Sequence, residues 1–391
     1  MHRLMVGGTI LEHELSELRL LVERQAGILL DCPNSALAAH IAEYLERHEM
    51  ESPAALLDRL RASDQAPGFL PQFLDGILNS STGFFRHPGA MNALTRQILP
   101  QLCARKSSEG PGTLRFWSAG CSTGEEAYSI AMAICDAMSN GAMSNGAANS
   151  AAGNGAGSNE SGKEKNGSNK DSKEKNAART GGIADALSSS PSTAKDGISR
   201  DWSVHIVGSD LLPTAIEVAE RGLYPQSALT GLPPATIRAS FSKIGASSAA
   251  NGLQNAAANG SLNGFATGSS NGAPANGGSA SQQQPPSNGG SHLLVKPRLR
   301  SLVTFNTMNL TKPVYIGRFD CIFCMDVLPH LSRTQRTSLL ERLHLYLEPG
   351  GYLFLSQTEK LSAPNLNFRS ETFDGYTFHR KPLAASAAYG R

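Results

Sequence analysis

The sequence predicts an α/β fold built on a Rossmann-like, doubly wound parallel sheet with a small helical unit in front of it, and three observations lead there. Short apolar runs alternate with amphipathic stretches from residue 114 onward. A strand, a glycine-containing loop and a helix start follow one another in LRFWSAGCSTGEEAYSIAM. An acid, Asp210, closes the next strand in VHIVGSD. Strand and helix in alternation imply parallel strands covered by helices on both faces.

Each element has its own signal. Residues 9–75 read as short helices: Leu11, Leu15, Leu18 and Val22 fall at helical spacing, as do Leu37, Ile41, Tyr44 and Leu45. Ser52 and Pro53 are an N-cap and first-turn pair for a helix through Leu60. The pattern then predicts a strand over 114–118, a helix over 125–138, a strand over 205–208 and a helix over 213–221. Strands over 302–306 and 320–324, a helix over 333–347, and strands over 352–356 and 376–380 complete it. Ser332 and Gln335 form a capping box for the last helix, and Pro349-Gly350-Gly351 closes it.

Composition separates this frame from two insertions. Residues 139–200 are mostly Ser, Asn, Gly, Ala, Lys and Glu without an aromatic ring, and residues 245–291 repeat the bias with Gln and Pro added and Phe265 as their one aromatic residue. Such segments bury too little apolar surface to offset the entropy of ordering, so both are expected to be disordered. About 280 residues remain, enough for one catalytic domain and a small companion.

The net charge is +2 with Lys and Arg scattered, which argues against nucleic acid as a partner. No apolar run long enough to span a bilayer occurs, and MHRLMVGGTILEHEL lacks a leader's apolar core, so no membrane insertion and a cytoplasmic location are expected. The cysteines at 32, 103, 121, 135, 321 and 324 have no disulfide-framework spacing. Cys321 and Cys324 lie in a strand, where residues three apart face opposite sides, so no metal site is expected.

The loop after the first strand is where a doubly wound sheet binds its nucleotide. Gly120 and Gly124 allow close backbone approach, but the third glycine of the dinucleotide fingerprint is missing. A ribose-binding acid belongs about 20 residues further on, and Asp210 meets that spacing once the first insertion is set aside. Asp210 can also cap the helix that starts at Pro213, and the two roles are compatible. An adenosine-containing cofactor without a pyrophosphate is the outcome, which points to S-adenosylmethionine.

Four segments make the pattern specific: STGFFR at 81–86, FWSAGCSTGEEAYSIA at 116–131, FDCIFCMDVLPHL at 319–331 and LEPGGYLFLSQTEKL at 347–361. Together with GLYPQSAL at 222–229 they resemble the CheR-type chemotaxis receptor protein-glutamate O-methyltransferases. The resemblance implies a class I S-adenosylmethionine-dependent methyltransferase sheet, a helical N-terminal domain over 1–78 and a methyltransferase domain over 79–391. An antiparallel β-subdomain of about 222–304 is inserted in the latter. It implies methyl transfer from S-adenosylmethionine to glutamate carboxylates of a chemoreceptor-like signalling protein.

Residue by residue, Thr82 and Arg86 resemble the pair that reaches the methionine end of the cofactor, with Ser80 beside them. Glu126, or its neighbour Glu125, resembles the acid near the glycine loop. Asp210 resembles the ribose ligand, and Asn309, Leu310, Asp326 and Val327 resemble the contacts on the adenine side. Arg86 and His330 stand at the reacting end. The family usually has Asn at Ser80, an Arg-Asn pair at Met325 and Asp326, and Tyr-Phe at His330 and Leu331. Asp326 therefore keeps an amide's acceptors, loses its donor and adds charge. The basic N-terminal helix usual in the family is replaced by SALAAHIAEYLERH.

Two other readings compete. A base methyltransferase would share fold and cofactor, but MDVLPHL stands where its D/N-P-P-aromatic motif belongs and the basic footprint is missing. A non-catalytic module that binds cofactor or partner without transferring methyl has the same fold.

Overall fold

The computed structural model describes residues 10–62, 68–78, 82–107, 112–139, 202–243, 291–313, 316–361, 363 and 365–383. Ser80 and the two polar insertions, apart from Ser139 and Ser291, lie outside the described residues. Four helices come first: α1 (Glu12–Ala26), α2 (Asn34–Arg47), α3 (Pro53–Arg61) and α4 (Phe69–Asp75). Leu15, Leu18, Leu21, Val22 and Ala26 are the buried stripe of α1, whereas Leu11, expected on that stripe, precedes the first turn and is exposed. Ser52 caps α3 by accepting from Ala55 N at 3.2 Å. Gly27 ends α1 at φ 73°, and a Cβ there would lie 2.4 Å from Cγ2 of Thr311. Glycine thus supplies both the left-handed turn and the close approach of this helical region to the main sheet.

The main sheet has seven strands: β1 (Gly112–Ala119), β2 (Trp202–Asp210), β6 (Val303–Thr307), β7 (Phe319–Phe323), β8 (Leu347–Phe354), β9 (Arg369–Phe373) and β10 (Tyr376–Arg380). Their order is β6-β2-β1-β7-β8-β10-β9, parallel up to β8 and antiparallel for β10 and β9. Chain order reverses between β1 and β7, the switch point at which such sheets bind ligands. A second sheet, antiparallel, joins β3 (Leu223–Pro225), β5 (His292–Val295) and β4 (Phe241–Lys243) in that order. It is the inserted β-subdomain that the resemblance implies, and the second polar insertion connects β4 to β5.

Strand alternation divides the interior into two cores. Phe116, Cys321, Tyr352 and Phe354 face α7 (Glu125–Ser139) and the small sheet, while Trp117, Ile322, Leu353 and Leu355 face the N-terminal helices and the last helix (Arg333–Tyr346). Cys321 belongs to the first core and Cys324 to the second. The two thiols of the CxxC therefore point away from each other, and among the described residues no group of side chains could hold a metal ion. No helix among the described residues is long and apolar enough to cross a membrane.

Three elements differ from the sequence expectation. A helical stretch over 88–106 was not foreseen. It runs as α5 (Pro88–Ala93), a π turn (Leu94–Ile98) and α6 (Leu99–Lys106). Pro100 lacks an N–H and would press on the carbonyl four residues back, and the wider π turn just before it accommodates that. Pro349-Gly350-Gly351 does not close the last helix: that helix ends at Tyr346, and the triplet lies in the irregular start of β8, where pairing with β7 shifts register. Strand β9 was also missed, being an edge strand of mostly exposed polar residues.

Asp320, 1% exposed at the start of β7, binds this frame together. Its Oδ2 accepts from Lys106 Nζ at 2.8 Å and from Arg115 N at 2.9 Å, joining α6, β1 and β7. Replacing Asp320 by Ala strands Arg115 N and leaves the Lys106 ammonium with Thr113 O at 2.7 Å but without its counter-charge. The expected loss is about 3 kcal/mol, the lower end for a broken buried pair because Lys106 is a quarter exposed. Urea unfolding measures it, and a loss under about 1 kcal/mol would show that the pair is not structural.

Candidate active site

The ends of β1, β2, β6 and β7 open into one cavity of about 710 Å³, within the range of small-molecule sites. The glycine loop forms its floor. Gly120, at φ 90°, and Cys121 both donate to Ser209 O, at 2.8 and 2.9 Å. A Cβ on Gly120 would lie 2.5 Å from Cγ2 of Val327, so glycine here lets the loop after β7 close over the loop after β1. Ser122 takes φ 48° and donates its N–H to Asp210 Oδ2 at 2.9 Å.

Asp210 serves two neighbours at once. Oδ2 holds the glycine loop, and Oδ1 accepts from Leu212 N at 3.0 Å, at the start of the helix Pro213–Arg221. Burial pushes its carboxyl up, opposed by those same backbone N–H groups. With Leu211 N as a third backbone donor, the carboxylate still has acceptor capacity for a ligand, so the helix-capping geometry and a place on the cavity wall coexist.

The two neighbouring glutamates separate cleanly. Glu125 is buried, accepts from Thr123 Oγ1 at 2.7 Å and from the Thr82 hydroxyl, and does not line the cavity. Glu126 does line it and accepts from Ser118 Oγ at 2.7 Å. Burial above all pushes the Glu126 carboxyl up to about 7; Asp326 and Glu359 add to the rise, while Ser118 and Arg86 oppose it.

The STGFFR segment is pinned to α7. Phe85, at φ 52°, donates its N–H to Ser129 Oγ at 2.9 Å, and Ser129 Oγ donates to Glu125 O at 2.6 Å. This turns Arg86 toward the loop after β7, where its Nη1 lies 3.3 Å from Asp326 Oδ2. His87 Nε2 meets the same oxygen at 2.9 Å. The Asp326 carboxylate therefore points to Arg86 and His87, and Val327, Leu310 and Asn309 also line the cavity. Asn309 Oδ1 accepts from Thr311 N and Oγ1, at 2.9 and 2.8 Å. His330 is exposed, at the rim, on a short 3₁₀ turn (Leu328–His330).

Three contributors lie outside the sequence expectation. Glu359, within LSQTEKL, accepts three backbone N–H groups: Asp326 at 3.1 Å and Ser356 at 2.8 Å on Oε2, and Leu328 at 2.9 Å on Oε1. The segment after α1 forms the roof. Leu29 N donates to His330 O at 2.8 Å, Ile28 bridges to Leu331, and Thr311 Oγ1 donates to Ala26 O at 3.0 Å. His87, directly after STGFFR, was likewise passed over.

The donor set suits the expected cofactor. Glu126 and Asp210 put acids on the wall, Arg86 adds a guanidinium fork, and Ile28, Leu310 and Val327 add apolar surface, a set that an ammonium, ribose hydroxyls, a carboxylate and a base would fit.

Comparison with known proteins gives the following. The family model described as CheR methyltransferase, SAM binding domain, matches residues 80–146 and 281–376. Chemotaxis protein methyltransferase 1 of Pseudomonas aeruginosa is 24% identical over 347 residues, covering 88% of this chain and 89% of its own length. Chemotaxis protein methyltransferase Cher2 of Pseudomonas putida is 23% identical over 351 residues, covering 89% and 90%. Among solved structures, magnesium protoporphyrin IX methyltransferase of Synechocystis with bound SAM covers 82% of this chain and 92% of its own at 10% identity. Its TM-score of 0.26 is too low to bear on fold or function.

Glu126 makes a testable contribution to stability. Folding raises its carboxyl from 4.5 to about 7, so between those values the folded chain holds a proton that the unfolded chain has released. Stability from this group is intact below the lower value and is lost as pH rises through the upper one. In cofactor-free protein, Glu126→Gln removes the loss, and its Tm advantage over wild type should grow by several degrees from pH 5 to pH 8, at about 2 to 4 °C per kcal/mol. Parallel Tm curves would contradict the burial of an ionisable Glu126.

Proposed function

We propose that this chain, which belongs to the CheR methyltransferase family, moves the methyl group of S-adenosylmethionine onto glutamate carboxylates of a chemoreceptor-like protein, forming methyl esters. The observation that carries the reading is the cavity at the sheet's switch point, lined by acids and an arginine fork.

S-adenosylmethionine supplies a methyl group on a positively charged sulfur, with a neutral thioether as leaving group. Asp210 would hold the ribose hydroxyls with the acceptor capacity that Ser122, Leu211 and Leu212 leave over. Asn309, Leu310 and Val327 would line the adenine side, with the backbone of Asp326. Glu126 would face the cofactor's ammonium, and Arg86, with Thr82 and Ser80, its carboxylate.

The acceptor glutamate is ionised near neutral pH, so no strong general base is needed. The protein's task is to align and dry the attacking oxygen, and orientation alone can supply about 7 to 11 kcal/mol. His330, at the rim with a polar ring edge, would meet the incoming side chain. The exposed rim suits a protein side chain entering from solvent. The relatives' names as chemotaxis methyltransferases support a receptor as its source.

The direct test is transfer of labelled methyl from the cofactor to receptor signalling fragments, followed by mild base. Release of volatile methanol is expected. Cofactor binding without transfer to any fragment would instead favour a non-catalytic module. Arg86→Ala should abolish transfer in a folded protein, and Arg86→Lys should fail as well because an ammonium cannot present a planar fork. Asp210→Ala should weaken cofactor binding by about 1.5 to 3 kcal/mol in calorimetry, the range for hydrogen bonds to a charged group. Unchanged affinity would remove Asp210 from the ribose.

A further inference from the structure

The proposed site contains a charge conflict. Arg86 is assigned to a ligand carboxylate, yet Asp326 places its own carboxylate 3.3 Å from Arg86 Nη1, in the position where the family usually carries a neutral amide. An aspartate so placed competes with the ligand for the same guanidinium. The competition is local, since Arg86 and Asp326 side chains are 45% and 31% exposed and both line the cavity.

His87 bears directly on this conflict. Its Nε2 lies 2.9 Å from Asp326 Oδ2, the very oxygen that faces Arg86, and its side chain is 20% exposed, the most sheltered of the three. Arg86 meets Asp326 through one nitrogen at 3.3 Å, longer than the usual 2.7 to 2.9 Å of a charge-assisted bond, whereas His87 holds the short contact. Backbone geometry fixes both ends. His87 sits just before Pro88 at the start of α5, and Asp326 is held at φ 59° with its N–H on Glu359.

We propose that His87 is a positioning residue that satisfies Asp326 and so leaves the Arg86 guanidinium able to receive the carboxylate of S-adenosylmethionine. The inference rests on the assignment of Arg86 to the cofactor. Without the imidazole, Asp326 would draw Arg86 into a closer pair and the ligand carboxylate would meet a guanidinium already engaged by an acid. Glu126, whose carboxyl also feels Arg86, is anchored by Ser118 Oγ. Asp326 is the acid that forms an ion pair with Arg86, and His87 shares its oxygen.

The test uses calorimetry on the full chain with two probes, S-adenosylmethionine and its decarboxylated analogue, and no methyl acceptor. Failure of the glutamate-ester reading therefore leaves the comparison unaffected. His87→Gln should weaken S-adenosylmethionine binding by about tenfold or more while the decarboxylated analogue changes by less than about twofold. In a D326N background the same His87→Gln change should cost less than about twofold for both ligands, because the competing charge is gone. His87→Lys, which places N–H donors and a fixed positive charge beside Asp326, should retain most of the affinity, and it carries the comparison if His87→Gln does not fold. Unchanged affinity in His87→Gln, equal losses for both ligands, or a loss that persists in the D326N background would each overturn the proposal.

Discussion

One carboxylate, that of Glu359, holds the reacting end of the cavity in shape. It accepts N–H groups from Asp326, Leu328 and Ser356, which belong to the loops that follow β7 and β8. Those groups lie beyond the last strand pairing and would otherwise need other acceptors, and hydrogen bonds to a charged group are among the stronger ones. The arrangement supports a residue that would not hold its conformation unaided. Asp326 sits in the left-handed region, at a cost on the order of 1 to 2 kcal/mol for a residue with a Cβ. With the backbone so fixed, the Asp326 side chain meets His87 and Arg86, and the STGFFR segment is joined to the sheet.

The same logic recurs at the opposite wall. Asp210 joins the glycine loop to the helix that follows β2, as Glu359 joins the loops after β7 and β8. Each side of the switch point thus has an acid that accepts backbone N–H groups from two neighbouring loops. Among the described residues, the non-glycine positions at positive φ include Phe85, Ser122 and Asp326, all within this site. Strained backbone collects where a surrounding network over-determines it, and here the network consists of these acids together with Ser129.

The sequence made the frame legible where punctuation and apolar periodicity agree. The helix Pro213–Arg221 matches its expected bounds because Pro213 opens it and Gly222 takes the left-handed turn that ends it. Strand β7 was readable as a bare apolar run. The stretch over 88–106 was not, since Pro100 looks like a stop until the π turn before it is seen. Of the candidate site, Gly120 and Asp210 could be found from local spacing, and Glu126 only through the family resemblance. Glu359 and His87 could not, because their partners lie far along the chain: His87 meets a residue 239 positions away. The roof from Ile28 to Cys32 was hidden for the same reason, as it is made by a helical region packing over loops of the sheet.

Acids and one arginine on the same wall also suit a cation with a carboxylate tail. Burial chiefly raises the Glu126 carboxyl to about 7, and the negative charge of Asp326 and Glu359 adds to the rise. A ligand that brings positive charge lowers that cost, and Arg86 prevents the end from being acidic throughout. If the cofactor lies across the switch point as this arrangement requires, hydrogen–deuterium exchange with and without S-adenosylhomocysteine should map it. The account predicts slowed exchange in residues 120–126, 208–212 and 325–330, with β9 and β10 unchanged. Protection confined to β9, β10 or the three-stranded sheet, with no change around Gly120 and Asp326, would contradict it.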